Sequence, residues 1–261
     1  MIPFQEKSIV IRNDRLTEDV RRLTVQAPGI AGHARPGQFV MVRVSSALDP
    51  LLRRPFSVHQ ISGAGQLQIL FKIVGRGTEI MAGLQPDQRL DIVGPLGRGF
   101  QYENKKKAVL IGGGMGIAPL FFLAKSMMQA IEPPEVMALL GARTKAELLP
   151  LANDMETMGI SVRCSTDDGT MGHHGLVLDL VRELDPGEER NCFVCGPHPM
   201  MKAVSQFCLA MVWQCEVSLE TMMACGLAAC LGCAVPRADG NGYVHACKEG
   251  PVFEASEVSW E

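Results

Sequence analysis

Hydrophobic and polar side chains alternate in short runs along the first hundred residues. The clearest run extends from Leu67 to Ile73, where every second residue is apolar, a period typical of a strand with one buried face. Residues 38–44 and 19–26 have a similar pattern, and the turn formers Pro36-Gly37 and residues 62–65 separate the runs. Several short strands in this space predict a small antiparallel β-barrel.

The pattern changes after residue 106. Residues 107–111, 136–140, 161–164 and 191–195 are short apolar runs of the kind found in buried strands, with helix-like segments between them. The most apolar of these segments, residues 117–130, follows the first run after a glycine-rich stretch at residues 112–116. Strands that alternate with helices predict an α/β domain with a parallel sheet.

From Glu216 onward the alternation is lost, and small residues, cysteines and a glycine-rich turn at residues 239–242 replace it. A hydrophobic share of 47% in 261 residues excludes a disordered chain. We therefore predict a multidomain protein, with an antiparallel β-barrel at 1–102, an α/β domain with a parallel sheet at 103–218, and a small C-terminal domain at 219–261.

Charge and composition narrow the class of protein. The net charge of −3 argues against nucleic acid as a partner, because phosphate binding needs a basic surface. The N-terminus resembles no signal peptide, and the longest apolar runs, such as Ile117–Ala124, are far short of a membrane span. We therefore expect a cytoplasmic protein with no membrane contact, in which clustered cysteines hold metal more often than they form disulfides.

The cysteines are concentrated at the acidic C-terminal end of the chain. Cys225, Cys230 and Cys233 are followed, after thirteen intervening residues, by Cys247, which is the C-x4-C-x2-C…C spacing of plant-type [2Fe–2S] clusters. Small residues inside the loop let the backbone approach the inorganic sulfur, because larger side chains would clash there. The sequence therefore predicts that these four thiolates bind a [2Fe–2S] cluster.

A structural zinc site is the alternative for this cysteine set. Structural zinc usually shows two C-x2-C-like pairs, whereas only Cys230 and Cys233 are paired in that way here. The other cysteines in apolar surroundings are predicted to be buried thiols without a chemical role, namely Cys164, Cys192, Cys208 and Cys215.

A glycine-rich turn, Gly112–Gly116, joins the first apolar run of the α/β domain to its helix, and Pro119 lies in the first turn of that helix. Backbone amides at such a turn can approach a pyrophosphate, and the positive end of the helix favours an anion. The glycines are not in the register of the Rossmann fingerprint, so packing alone is the alternative explanation.

Four motifs in order, Arg54-Pro55-Phe56-Ser57, Gly75-Arg76-Gly77-Thr78, Gly112–Pro119 and Cys195-Gly196-Pro197, resemble the ferredoxin–NADP reductase superfamily. This resemblance implies an FAD-binding barrel followed by a domain that binds a nicotinamide dinucleotide. The segments Asp49–Pro55 and Cys247–Phe253, together with the C-terminal cluster motif, are similar to the electron-transfer subunits of NAD-dependent class 1B dihydroorotate dehydrogenases.

The resemblance assigns the FAD site. Arg54 would face the pyrophosphate, Phe56 would stack on the flavin and Ser57 would donate a hydrogen bond near its N5. Gly77 and Thr78 would precede a short helix at residues 79–82 and bind a phosphate, although Arg54 as a surface charge and Thr78 as a helix cap are the simpler alternatives. The full predicted set is Arg54, Pro55, Phe56, Ser57, Leu70, Phe71, Lys72, Gly77 and Thr78.

The resemblance also assigns an NAD site, formed by Gly113, Gly114, Met115, Gly116, Ile117, Cys195, Gly196 and Pro197. Asp168-Gly169 could line the same cleft or form a simple turn. Arg143 follows the second strand of the α/β domain, where an arginine could bind a 2′-phosphate, stack on adenine or stay solvated. NAD rather than NADP therefore follows from the resemblance alone.

The resemblance implies an oxidoreductase subunit in pyrimidine biosynthesis. Dihydroorotate would be oxidised at the FMN of a separate catalytic subunit, and electrons would pass through the [2Fe–2S] cluster and FAD to NAD⁺. No side chain of this chain would act as a catalytic acid or base, and the assembly would be a heterotetramer with two copies of each subunit. The alternatives are a subunit of a sulfide dehydrogenase, a ferredoxin:NADP oxidoreductase or a hydrogenase, and a non-catalytic zinc-stabilised binding module.

Overall fold

A computed structural model describes residues 2–102 and 107–260 of the chain. The described residues form a closed six-stranded barrel, a seven-stranded sheet with helices on both faces, and a two-stranded hairpin. This is the predicted combination of an antiparallel barrel, a parallel-sheet domain and a small C-terminal module. Among the described residues, no helix is long and apolar enough to cross a membrane.

The barrel has the strand order β1-β2-β5-β4-β3-β6, and every neighbouring pair is antiparallel. Its interior is filled by aliphatic side chains from opposite walls, including the fully buried Leu23, Val42 and Ile69. The elements are β1 (Phe4–Arg15), β2 (Val20–Gln26), α1 (Pro28–Ala31), β3 (Phe39–Arg43), β4 (Arg54–Ser62), β5 (Gln66–Lys72), α2 (Arg76–Ala82) and β6 (Arg89–Leu96).

Strand β5 differs in one respect from the alternation in its sequence. Leu67, Ile69 and Phe71 point into the barrel as expected, but Gln68 and Leu70 on the other face are buried as well. Leu70 packs with residues of the α/β domain, which covers the outer face of the barrel at this point. Contact between domains, which the local pattern does not report, therefore buries the second face.

The α/β domain has a central sheet in the order β10-β9-β8-β7-β11-β12-β15, and all neighbours from β10 to β12 are parallel. Val109 and Ile111 of β7 pack on one face, and Ala108 and Leu110 pack on the other. Burial on both faces explains why these strands are continuous apolar runs. The elements are β7 (Lys107–Gly113), α3 (Ile117–Met128), β8 (Val136–Ala142), α4 (Lys145–Glu156), β9 (Ser161–Thr166), β10 (His173–His174), α5 (Val177–Arg182), β11 (Arg190–Cys195), α6 (His198–Ala210) and β12 (Gln214–Ser218).

Helix α3 holds the two domains in a fixed relation. Its Phe122 belongs to the hydrophobic core of the barrel, and its Phe121 stacks on His59 of β4 with ring centroids 4.7 Å apart. The Nδ1 atom of His59 lies 3.0 Å from the carbonyl oxygen of Ala118, and Lys125 donates to the side chain of Gln60. The glycine-rich turn before α3 is thereby held against the strand that carries Pro55, Phe56 and Ser57.

The C-terminal segment is joined to the α/β domain by hydrogen bonds. Its last strand, β15 (Val252–Glu254), pairs antiparallel with β12 and extends the sheet, while β13 (Ala234–Pro236) and β14 (Tyr243–His245) form a separate hairpin. The boundary predicted after residue 102 falls at residues 103–106, which lie outside the described residues. The domain boundaries therefore stay predictions.

Candidate functional site

A cavity of about 300 Å³ opens between the barrel, the start of α3 and the segment that follows β12. Seven residues of the predicted FAD site line it, together with Cys195 from β11 and Glu220 and Met223 from the C-terminal segment. The seven are Pro55, Phe56, Ser57, Leu70, Phe71, Lys72 and Thr78. Because the sequence predicts the flavin at these residues, we refer to this space as the flavin cavity.

The walls of the flavin cavity suit a planar aromatic ring system. The rings of Phe56 and Phe71 meet edge to face with their centroids 5.9 Å apart, and Pro55 and Leu70 add apolar surface. Ser57 supplies a hydroxyl among these apolar groups. A largely apolar cavity with a few polar groups to orient its ligand is typical of cofactor sites.

Arg54 and Gly77, the two predicted phosphate-site residues that do not line the cavity, lie beside each other. A Cβ built on Gly77 would be 3.4 Å from Nε of Arg54, so the absence of a side chain lets the guanidinium approach the first turn of α2. Arg54 also donates to the carbonyl oxygen of Leu52 at 2.8 Å. The backbone amides of this turn have no partner within the helix, as at any helix start.

The predicted start of this helix was wrong by three residues, whereas its predicted end at Ala82 was correct. Helix α2 begins at Arg76, so Gly77 and Thr78 lie inside its first turn rather than before it. The Thr78 hydroxyl accepts hydrogen bonds from the amides of Val74 (2.9 Å) and Gly75 (3.2 Å), which is a cap closed by the side chain three residues into the helix. Thr78 thus acts as the helix cap that the sequence offered as an alternative. It also lines the flavin cavity.

A second cavity of about 430 Å³ lies over the carboxyl ends of β7, β8 and β9. It is lined by Gly113, Gly114, Met115 and Pro197 of the predicted NAD site, and by Arg143, Glu147 and Asp167. Lys72 and Met115 line this cavity and also the flavin cavity, so the two spaces adjoin at these side chains. We refer to the second space as the nucleotide cavity.

Close packing accounts for most of the glycines in the turn before α3. A Cβ on Gly113 would be 2.4 Å from Sδ of Met200, and one on Gly116 would be 2.3 Å from the carbonyl oxygen of Cys195. Gly114 differs, because it has φ +53 and no heavy atom within 4 Å of its Cβ position. Packing fixes the turn, and Gly114 leaves its backbone open towards the nucleotide cavity.

The remaining predicted NAD residues do not line the nucleotide cavity. Ile117 is buried in the core of the α/β domain, and Gly196 packs against Met200 and Gly113. Cys195 lines the flavin cavity instead, where its thiol donates to the carbonyl oxygen of Ser218 and burial raises its pKa to about 12. The carboxylate of Asp168 accepts from the amide and hydroxyl of Thr170, which is the simple turn that the sequence allowed.

Charged groups cluster where the two cavities adjoin. The Nζ atom of Lys72 lies 2.9 Å from Asp19 and 3.2 Å from Glu147, and Glu147 also pairs with Arg143 at 2.5 Å. The hydrogen bond to Asp19 is the main cause that raises the pKa of Lys72, and the bond to Arg143 is the main cause that lowers the pKa of Glu147. In the flavin cavity, desolvation raises the pKa of Glu220.

Sequence reasoning missed Glu147, Asp167, Met200, Glu220 and Met223 as cavity residues. One signal was present, because Thr144 and Glu147 have the spacing of a capping box, and the Thr144 hydroxyl does accept from the Glu147 amide. No local pattern marks the others, since they reach the cavities only through the packing of distant segments.

The segment around Cys225 folds back so that backbone amides point at sulfur. The amides of Leu227 and Cys230 lie 3.3 Å and 3.4 Å from Sγ of Cys225, and the amide of Ala228 lies 3.2 Å from Sγ of Cys247. The hydrogen bond from Leu227 is the main cause that lowers the pKa of Cys225 to about 6. Amides that stabilise thiolates are the donor set that a [2Fe–2S] cluster needs.

Left-handed backbone conformations produce this arrangement. Gly226, Ala228 and Leu231 have φ +70, +58 and +58, and a Cβ on Gly226 would be 2.5 Å from Cγ of Met41 in the barrel. Cys233 and Cys247 are buried with their sulfur atoms 3.2 Å apart, whereas Cys230 is exposed. Within the described ranges, no three His, Cys, Asp or Glu side chains are arranged around a single metal ion.

The cysteines outside this set are mainly buried, as predicted. Cys192, Cys208 and Cys215 are buried between β11, α6 and β12, and Cys164 is half-buried. Burial raises the pKa of Cys164 to about 11, which keeps it a neutral thiol.

Comparison with known proteins agrees with this architecture. Residues 7–102 match the oxidoreductase FAD-binding domain, residues 110–206 the oxidoreductase NAD-binding domain, and residues 220–259 the iron–sulfur cluster binding domain of dihydroorotate dehydrogenase B. The match to an iron–sulfur domain replaces the zinc alternative. FAD, a nicotinamide nucleotide and an iron–sulfur cluster on one chain define an electron-transferring oxidoreductase subunit.

Individual relatives narrow the class. A protein of Desulforamulus reducens named "Dihydroorotate dehydrogenase B (NAD(+)), electron transfer subunit" is 42% identical over 90% of both chains. A protein of the same name from Caldanaerobacter subterraneus subsp. tengcongensis is 36% identical over 98% of both. The chain belongs to the family of electron-transfer subunits of NAD⁺-linked dihydroorotate dehydrogenase B.

One solved structure extends the likeness across all three parts. It is that of an NADH-dependent reduced ferredoxin-NADP oxidoreductase, described in the context of flavin-based electron bifurcation, and it is 30% identical to this chain with a TM-score of 0.86. The match covers 98% of this chain and 90% of that one.

Proposed function

We propose that this chain receives electrons from a separate, FMN-containing subunit that oxidises dihydroorotate, and delivers them to NAD⁺ in pyrimidine biosynthesis. The names of the relatives support this substrate, and an electron-transfer subunit needs a catalytic partner. A nicotinamide takes two electrons as hydride, a flavin exchanges one or two, and a [2Fe–2S] cluster exchanges one, so the three groups in series connect one-electron with two-electron chemistry.

The observation that carries this proposal is the position of Met223. Its side chain lines the flavin cavity, and it precedes Cys225 by only two residues. Pro251, which follows Cys247 by four residues, lines the same cavity. The segment that carries Cys225 and the segment that carries Cys247 thus both reach the wall of the flavin cavity. This supports a short path between cluster and flavin.

The side chains of this chain would bind and orient rather than transfer protons to substrate. Arg54 and the first turn of α2 would bind the FAD pyrophosphate, and Phe56 with Ser57 would hold the ring. The backbone at Gly114 and Met115 would bind the nicotinamide nucleotide in the nucleotide cavity. Because Met115 lines both cavities, the bound nucleotide would lie next to the flavin cavity. Cys225, Cys230, Cys233 and Cys247 would bind the cluster.

The partner would dock beside the cluster segment. Around the exposed Cys230, the side chains of Leu227 and Leu231 are 52% and 58% exposed, and that of Met222 is 91% exposed. Apolar side chains at such exposure suit a protein interface. We propose a heterotetramer with two copies of each subunit, located in the cytoplasm, where the nine free cysteines, all within the described residues, stay reduced.

Co-purification tests this function. The chain is co-expressed with the FMN-containing dihydroorotate-oxidising subunit of its own organism, and the complex is assayed for dihydroorotate-dependent reduction of NAD⁺. We expect a stable complex that reduces NAD⁺ only when both subunits are present. A chain that forms no complex and gives no such reduction would overturn the proposal.

The likeness to a reduced ferredoxin-NADP oxidoreductase favours a second candidate function, exchange of electrons with ferredoxin. The same purified chain, given reduced ferredoxin in place of the partner and dihydroorotate, distinguishes the two. Nucleotide reduction with ferredoxin but not with the dihydroorotate-oxidising subunit would favour the second candidate.

A further inference from the structure

Glu147 occupies an unusual position at the junction of the two cavities. It lines the nucleotide cavity and accepts hydrogen bonds from Arg143 on that side and from Lys72 of the barrel on the other. Its Oε1 lies 2.5 Å from Nη2 of Arg143 and 3.2 Å from Nζ of Lys72, and its Oε2 lies 3.3 Å from the Arg143 amide. One carboxylate therefore neutralises two cations at the wall of the nucleotide site.

The topology places this group where a dinucleotide presents its adenosine ribose. Gly113 ends β7, Arg143 directly follows β8, and Asp167 directly follows β9. In doubly wound sheets the pyrophosphate lies at the turn after the first strand, and the ribose 2′ position is read at the end of the neighbouring strand. An arginine at that position accommodates a 2′-phosphate, whereas a carboxylate accepts hydrogen bonds from a 2′-hydroxyl.

Arg143 is surrounded by negative charge in this site. Glu147 contacts its guanidinium, Asp167 lines the same cavity, and both carboxylates, with Asp19 of the barrel, act electrostatically on Arg143. A 2′-phosphate that approached this arginine would have to displace Glu147 and would face Asp167. A 2′-hydroxyl would meet carboxylate acceptors instead.

We propose that Glu147 is the positioning residue that makes this chain select NAD⁺ over NADP⁺, because it holds the guanidinium of Arg143 away from a 2′-phosphate. This inference rests on the proposed function in so far as that function uses a nicotinamide dinucleotide. The inference names the residue that discriminates between NAD⁺ and NADP⁺. The presence of Arg143 alone would leave this choice of nucleotide open.

Binding of NAD⁺ and NADP⁺ to the purified, oxidised protein, measured by calorimetry, tests the proposal without reference to turnover. Glu147→Gln keeps the length of the side chain and an oxygen that can accept from the Arg143 amide, but it removes the negative charge of the carboxylate. We expect the affinity for NADP⁺ relative to NAD⁺ to rise by roughly tenfold, since one nearby like charge is removed and one cation is released. In Glu147→Gln/Arg143→Gln this gain should disappear.

The matched control is Glu156→Gln at the other end of α4, which removes the same charge outside both cavities and should leave the ratio unchanged. An unchanged ratio in Glu147→Gln, or a gain that persists without Arg143, would overturn the proposal.

Arg143→Gln in the otherwise unchanged chain provides a second test if Glu147→Gln folds poorly. Because Arg143 is already neutralised, we expect the ratio of the two affinities to change by less than about twofold. A selective loss of NADP⁺ affinity would show that Arg143 is free to bind a 2′-phosphate and would overturn the proposal. If the unaltered chain bound neither dinucleotide, the proposed function would fail, and this inference with it.

Discussion

Gly116 and Cys195 are in such close contact that a Cβ on the glycine would lie 2.3 Å from the carbonyl oxygen of the cysteine. The contact joins the turn that follows β7 to the end of β11. These two strands are adjacent and parallel, and the chain order of the sheet reverses between them. Ligands of open α/β sheets bind in the crevice at such a reversal. The contact therefore holds Cys195, which lines the flavin cavity, against the turn whose residues 113–115 line the nucleotide cavity.

The first prediction concerns this contact. Gly116→Ala should lower the free energy of unfolding by about 1–3 kcal/mol, because backbone atoms of Cys195 and Gly196 have to move to admit the methyl group. Urea denaturation of the purified protein measures the change. Gly114→Ala is the control, since its Cβ would meet open space and only the left-handed backbone, at about 1 kcal/mol, opposes it. Equal losses in both variants would contradict the packing argument.

The second prediction concerns retention of FAD. Arg54→Ala should weaken FAD binding by about 1.5–3 kcal/mol, or roughly ten- to a hundredfold in Kd, because charge-assisted hydrogen bonds to the pyrophosphate are lost. The flavin content after purification and a titration with FAD measure the effect. Arg43→Ala is the control, because Arg43 is an exposed arginine of the same barrel that bonds to the carbonyl oxygen of Ser45. A stoichiometric flavin content in Arg54→Ala would count against the assignment.

The third prediction concerns the buried imidazole between the domains. Burial lowers the pKa of His59 to about 3, so the folded protein keeps it neutral while the unfolded chain protonates it below about 6.5. The contribution of His59 to the free energy of unfolding is complete above pH 6.5. It decreases by about 1.4 kcal/mol for each unit by which the pH is lowered, until the pH approaches 3. His59→Gln, which keeps a donor for the Ala118 carbonyl, should remove this part of the pH dependence.

Urea denaturation at pH 7.5, 6.5 and 5.5 measures the effect of His59→Gln, with the slope against pH as the readout. His33→Gln is the control, because its imidazole is exposed and bonds to the carbonyl oxygen of Gly29. The control should keep the steeper slope of the unaltered chain. A slope for His59→Gln that matches the unaltered chain would contradict the assignment.

The sequence could predict the fold because its signals are local. The alternation in β5 marks the face that points into the barrel, and the continuous apolar run of β7 reflects burial on both faces of that strand. The cysteine spacing is local in the same sense, since Cys225, Cys230 and Cys233 belong to one segment whose amides bond back to sulfur. Such features are written within a few residues of each other.

The composition of the two cavities could not be predicted in the same way. Lys72 and Glu147 are 75 residues apart, and their pairing depends on how α4 packs against the barrel. Glu220 reaches the flavin cavity because the chain turns after β12, which no periodicity indicates. The start of α2 was misplaced because a threonine is common at the position just before a helix, whereas Thr78 caps this helix from inside its first turn.

The fourth prediction concerns the exit of electrons from the chain. Cys230→Ser should abolish electron flow between this chain and its partner while NADH still reduces FAD, because Cys230 is a predicted cluster ligand and does not line either cavity. Its exposure makes an effect on folding small, and a thermal unfolding curve checks this. Stopped-flow absorbance of the flavin after NADH addition measures the first step, and dihydroorotate-dependent reduction of NAD⁺ by the complex measures the whole path. Cys164→Ser, at a half-buried thiol of β9, is the control and should support both reactions. Undiminished coupled turnover in Cys230→Ser would remove this residue from the path.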